Sequence, residues 1–133
     1  MIMIRSRILI IDDDPNLSRL VATLLVKLGD HEVCIENRSY AARATAEEFH
    51  PDLMLLDVDM PGKDGGQVAA EFQADPRFAN VPIIFLTSLI SPNEAADDAV
   101  MRGGMPFLAK PVNPQALART VRRLLAEASP TPA

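Results

Sequence analysis

Four short stretches of this chain carry groups that can do chemistry together: Asp12-Asp13-Asp14, Asp57 with Asp59, Thr87-Ser88, and Lys110-Pro111. Each follows directly on a short apolar run, respectively Ile8–Ile11, Leu53–Leu56, Ile83–Leu86 and Phe107–Ala109. If those runs are neighbouring strands, carboxylates, a hydroxyl and an ammonium converge on one edge. Carboxylates brought within a few ångströms cannot all stay ionised unaided; protons or a cation must compensate. A donor set of oxygens without His or Cys favours Mg²⁺ over zinc. Mg²⁺ held by carboxylates and water is the usual companion of a phosphoryl group. Lys110 and the Thr87 hydroxyl can then stabilise the oxygens of a phosphoryl group in transfer. One of the aspartates would be the nucleophile, forming an acyl phosphate. Asp14 reads differently: followed by Pro15, it is a helix cap.

The 133 residues predict one domain with one real core. Apolar residues make up 48% and charged residues 23%, the balance of a globular protein. The single cysteine, Cys34, excludes a disulfide scaffold and a cysteine-based zinc site, and is expected in the core. His31 and His50 are isolated and expected in exposed loops. No aliphatic run approaches the length needed to span a bilayer, and Met1–Arg7 does not open a secretory signal. The expected location is therefore the cytoplasm, without membrane contact. The net charge is −5. The acidic body argues against nucleic-acid binding by this domain. Residues 100–133 reverse the sign, with Arg102, Lys110, Arg119, Arg122 and Arg123 against Glu127 alone. That reads first as a solvated helix face and second as a surface for an acidic partner.

Strands are expected near Arg7–Ile11, Val33–Glu36, Leu53–Asp57, Ile83–Thr87 and Pro106–Ala109. Their continuous apolar character belongs to a sheet covered on both faces. Between them run helices: one from Asp14-Pro15 with Leu17, Leu20, Val21, Leu24 and Leu28 on one face, closed by Gly29; one over Ser39–Glu48; one from Asp64 to about Gln73; one starting at Ser91-Pro92-Asn93-Glu94; and one from Asn113-Pro114 with Leu117, Val121, Leu124 and Leu125 inward. Strand–helix alternation implies parallel pairing with right-handed crossovers, hence an α/β doubly wound (βα)5 fold with its site beyond the carboxyl ends of the strands. Residues 1–128 form that unit, and the Pro-rich stretch 129–133 reads as a tail or the start of a linker.

The motifs Ile8-Leu9-Ile10-Ile11-Asp12-Asp13-Asp14, Leu55-Leu56-Asp57-Val58-Asp59-Met60-Pro61-Gly62-Lys63-Asp64-Gly65, Pro82-Ile83-Ile84-Phe85-Leu86-Thr87-Ser88 and Phe107-Leu108-Ala109-Lys110-Pro111 stand in one order and spacing. In this the chain resembles the receiver (CheY-like) domains of two-component response regulators over about residues 7–127. The resemblance implies a five-stranded parallel sheet in the order 2-1-3-4-5, of the flavodoxin/CheY type. It implies that Asp57 is the phosphoacceptor, that Asp12 and Asp13 organise Mg²⁺, Asp13 directly and Asp12 through water, and that the backbone carbonyl of Asp59 is a further ligand. Thr87 would be the switch hydroxyl, Phe107 the switch aromatic, and Lys110 the partner of Asp57 or its phosphoryl group, with a cis Lys110-Pro111 bond. It further implies a signalling domain and not a classical enzyme. Such a domain takes its phosphoryl group from a histidine kinase or phosphotransfer protein, catalyses its own phosphorylation and dephosphorylates slowly. The face built by the fourth helix, fifth strand and fifth helix would address an output domain or partner; homodimerisation through it is a habit of the family.

Some residues depart from the pattern. Gly66 stands where an apolar residue is usual and should loosen the start of the third helix. Gly103-Gly104-Met105-Pro106 replaces the usual approach to the fifth strand. Asp57-Val58-Asp59 also resembles the nucleophile motif of haloacid-dehalogenase-type phosphatases, but that motif belongs on a first strand. A degenerate receiver that binds partners without phosphorylation is disfavoured by the complete set Asp12, Asp13, Asp57, Thr87 and Lys110.

Overall fold

The computed structural model describes residues 5–90 and 98–128. The strands are β1 (Ser6–Ile11), β2 (His31–Glu36), β3 (Leu53–Asp57), β4 (Ile83–Thr87), β5 (Val100–Arg102) and β6 (Met105–Ala109). The helices are α1 (Pro15–Leu28), α2 (Ala42–Phe49), α3 (Gly65–Ala74) and α4 (Pro114–Ala128), with one 3₁₀ turn at Ser39–Ala41. The sheet order is β2-β1-β3-β4-β6-β5. The first five strands of that order are parallel, and they are the five expected from the sequence.

Alternation along the central strands sorts their side chains into two cores. Ile8, Ile10, Leu53, Leu55, Ile84 and Leu86 pack under α1 and α4. Leu9, Ile11, Met54, Leu56 and Phe85 pack under α2 and α3. Both faces are covered, which is why β3 and β4 are buried at every position. Each described helix start that the sequence marks with a cap has one. Asp14 accepts from the N–H groups of Asn16 and Leu17, and Asn113 from those of Gln115 and Ala116. Asp64 and Gln67 form a reciprocal capping box that holds the start of α3, Gly66 included.

The structure corrects several expectations. Among the described residues the sheet has six strands, not five: β5 pairs antiparallel with β6 through Val100↔Phe107, Met101↔Pro106 and Arg102↔Met105. The start of the helix expected from Ser91 lies outside the described residues; at Val100 the chain is extended. Gly103 (φ 58°) and Gly104 (φ 78°) make the two-residue turn between β5 and β6. Positive φ at both positions is the hairpin turn whose twist matches antiparallel strands. Pro106 has no N–H, so it sits opposite Met101 before the parallel register with β4 begins at Phe107. In α1 the buried stripe is centred on Ser18, Val21 and Leu25, which leaves Leu20 55% exposed on its flank. His31 opens β2 and is half-buried, not a loop residue. Cys34 lies half-buried at the margin of one core.

The hairpin depends on a residue without a side chain at Gly104. Gly104→Ala should lower the unfolding free energy by about 1 kcal/mol, read as a shifted urea midpoint at constant slope. An unchanged midpoint would mean that the turn is not held in this conformation in solution.

Candidate functional site

Sheet order decides which strand ends meet. β1 and β3 are adjacent in the register Ile11↔Leu56, so the residues that follow, Asp12 and Asp57, lie side by side. β4 flanks β3 on its other side and β6 lies beyond it. The N–H of Lys110 bonds to the Thr87 carbonyl at 2.9 Å, and its side chain reaches over the end of β4 to β3. There its Nζ donates to Asp57 Oδ1 at 2.8 Å. The same Nζ lies 3.7 Å from Asp12 Oδ2. The Lys110-Pro111 peptide bond is cis, as expected.

One carboxylate oxygen each from Asp12, Asp13 and Asp57 falls within 4.8 Å of the others. Asp12 is fully buried, Asp57 is 2% exposed, and Asp13 faces solvent. Asp57 Oδ1 also accepts from the Asp59 N–H at 3.2 Å, while the Asp59 side chain is exposed. Asp12 Oδ1 accepts from the Asp14 N–H at 2.9 Å. Asp12 Oδ2 is buried without any hydrogen-bond partner.

The electrostatics follow from that crowding. Burial pushes the Asp12 carboxyl up to about 6; the charge of Asp57 adds to this, and the Asp14 N–H and Lys110 oppose it. Burial, a hydrogen bond to Asp57 and its charge also raise Asp13. Burial would lower Lys110, but the hydrogen bond to Asp57 and the charges of Asp12, Asp57 and Asp13 outweigh it and hold the ammonium protonated. One cation thus faces three carboxyl groups. The donors are all hard oxygens, and the buried Asp12 Oδ2 accepts no hydrogen bond although the Lys110 ammonium lies 3.7 Å away. A divalent cation of the Mg²⁺ type fits both observations.

Thr87 is buried at the end of β4, and its hydroxyl accepts from the Leu89 N–H at 3.0 Å. Phe107 is half-buried and stacked on Phe85, with ring centroids 4.8 Å apart and planes 24° apart. The structure therefore gathers Asp12, Asp13, Asp57 and Lys110 at one point, with Thr87 on the neighbouring strand end and Phe107 packed inward behind it. Asp14 stays outside the cluster as the cap of α1. Residue types alone did not disclose the role of Gly65. A Cβ there would overlap the backbone carbonyl of Asp57, so α3 can start this close to the site only with glycine.

This chain is similar to known proteins over most of its length. The family described as "Response regulator receiver domain" matches residues 8–122. The DNA-binding response regulator MtrA of Mycolicibacterium smegmatis is 35% identical over 136 residues, covering 97% of this chain and 54% of that protein. Protein PilH of Pseudomonas aeruginosa is 31% identical, covering 91% of this chain and 98% of its own. The sensor protein GacS of Pseudomonas syringae is 35% identical, but the match covers only 13% of it against 86% of this chain. Among these relatives the chain thus spans about half of MtrA and far less of GacS. Among solved structures, the chemotaxis protein CheY4 of Vibrio cholerae superposes with a TM-score of 0.76 at 27% identity, covering 91% of this chain and 99% of that one. The receiver domain of a sensor histidine kinase from Pseudomonas aeruginosa PAO1, solved with a magnesium ion coordinated in its active-site cleft, gives 0.75 at 28% identity, covering 92% and 99%.

The raised carboxyl of Asp12 has a consequence for stability. A folded-state value above the unfolded one means that the ionised group costs stability at neutral pH, and that the cost is relieved as pH falls through about 6. Without divalent cation, Asp12→Asn should stabilise the protein at pH 7.5 by on the order of 1–3 kcal/mol. The gain should fade between pH 6 and 4, as urea unfolding at several pH values would show. A variant no more stable than the wild type at pH 7.5 would contradict this.

Proposed function

The chain belongs to the response regulator receiver domains of two-component systems, and on that premise we propose that Asp57 is its phosphoacceptor. The observation that carries the reading is the 2.8 Å contact of Lys110 with the buried Asp57 carboxylate, at the base of a pocket holding two further carboxyl groups. In the family, Mg²⁺ in this acidic site neutralises the carboxylates and the oxygens of an incoming phosphoryl group. In this chain Asp12, Asp13 and Asp57, with the backbone carbonyl of Asp59, would hold it.

The remaining steps belong to the protein's own groups. An oxygen of Asp57 attacks phosphorus; the bond from phosphorus to the donor's nitrogen or oxygen breaks, and the donor departs with that electron pair. The product is an acyl phosphate on Asp57, later cleaved by water. Lys110 stays protonated and shifts its hydrogen bond from the carboxylate to a phosphoryl oxygen. Thr87 exchanges its contact with the Leu89 N–H for a phosphoryl oxygen, which frees the chain after β4 to move. Phe107, stacked inward on Phe85, follows into the space that Thr87 leaves. These new contacts favour one of two arrangements of the surface that β5, β6 and α4 present, a population shift with a local electrostatic cause. The donor in this reading is a histidine kinase or phosphotransfer protein, the setting is the cytoplasm, and the receiver of the signal is an output domain or a separate partner. The basic residues Arg119, Arg122 and Arg123 on the exposed side of α4 suit an acidic one.

The reading is tested by intact-mass measurement after incubation with acetyl phosphate. The wild type should gain one phosphoryl group when Mg²⁺ is present and none in EDTA, and Asp57→Asn should gain none. Equal labelling of Asp57→Asn would refute the assignment.

A further inference from the structure

The acidic loop after β1 is held from the side by a residue outside every motif named above. Asn37 follows the last residue of β2 and is half-buried. Its Nδ2 donates to the Asp12 backbone carbonyl at 2.7 Å and to the Ser18 hydroxyl at 3.0 Å. Ser18 is fully buried in α1 and donates in turn to the Asp14 carbonyl at 2.9 Å. The Asp12 N–H bonds to the Glu36 carbonyl at 3.2 Å, one residue before Asn37. The Asp14 N–H is taken by Asp12 Oδ1. Backbone groups on both sides of Asp13 are therefore fixed, although the Asp13 side chain is exposed.

We infer that Asn37, acting with Ser18, is a positioning residue that sets the backbone of Asp12–Asp14, and so aims the Asp12 and Asp13 carboxylates at a shared divalent cation. The chemistry requires an amide here. Only a side chain with two N–H groups on one nitrogen can serve a carbonyl and a hydroxyl at once while carrying no charge of its own. A carboxylate would repel the Asp12 carbonyl, and a shorter side chain would reach one acceptor at most. Groups that orient metal ligands without touching the metal typically change affinity by about 10- to 100-fold when removed. Asn37 holds the backbone and not the ligand atoms themselves, so the lower end applies.

This inference rests on the receiver reading, and one experiment separates the two. Mg²⁺ is titrated calorimetrically into the full chain at pH 7.5, for the wild type, Asn37→Ala, Ser18→Ala and the double variant, with unfolding in EDTA measured alongside. Asn37→Ala should weaken Mg²⁺ binding about tenfold. Ser18→Ala should weaken it less, because the bond from Asn37 to Asp12 survives. The double variant should lose less than the product of the two effects, as expected for residues that act as a unit. A purely structural Asn37 would lower stability in EDTA but leave Mg²⁺ affinity within about twofold of the wild type; that result overturns the inference and leaves the receiver reading intact. A wild type that binds no Mg²⁺ overturns both. Should Asn37→Ala not fold, Asn37→Ser replaces it, with the same expected direction.

Discussion

The contact between Lys110 and Asp57 is the constraint on which the rest of this structure turns. Burying an aspartate at the end of a strand is expensive, and the cost is tolerable only with a cation in hydrogen-bond range. That cation comes from the far end of the parallel sheet, across the end of β4. The ends of β1, β3, β4 and β6 must therefore stop at one level, and the parallel registers bring them there. One lysine cannot balance three carboxyl groups. Burial, with Asp57 adding to it, raises the carboxyls of Asp12 and Asp13, and Asp12 Oδ2 accepts no hydrogen bond although the Lys110 ammonium lies 3.7 Å away. The chemistry of such a site fits a divalent cation of the Mg²⁺ type.

The scaffold makes this site possible because its rigid parts are those that touch it. β3 and β4 are buried throughout, and two cores clamp the sheet from opposite faces. Gly65 lets α3 start against the Asp57 backbone. The elements that could respond lie on the other side. The Thr87 hydroxyl accepts from the Leu89 N–H, and β5, the three-residue strand at that edge of the sheet, packs against the strand that carries Phe107.

Much of this was legible in the residues. Continuous apolar runs ending in Asp12, Asp57, Thr87 and Lys110 located the parallel strands and the site, because strands covered on both faces have no polar alternation to confuse the period. Asp14, Asp64 and Asn113 announced helix starts through side chains that accept backbone N–H groups. What stayed hidden has physical reasons. β5 has three residues and no periodicity to detect, although Gly103-Gly104 is the dipeptide a tight hairpin requires. Leu20 satisfies a helical stripe as well as Leu25 does, and only the position of the sheet decides between them. Asn37 bonds to a backbone carbonyl 25 positions away, a relation that sheet topology creates and local spacing cannot express.

If Asp57, the aspartate that Lys110 contacts, carries the phosphoryl group, that group can be located on the chain. The protein is phosphorylated with a small phosphodonor and Mg²⁺, reduced with borohydride, which converts an aspartyl phosphate to homoserine, and sequenced by tandem mass spectrometry. Homoserine is expected at position 57 and at no other aspartate. Homoserine at position 12, 13 or 59, or at none, would contradict this assignment.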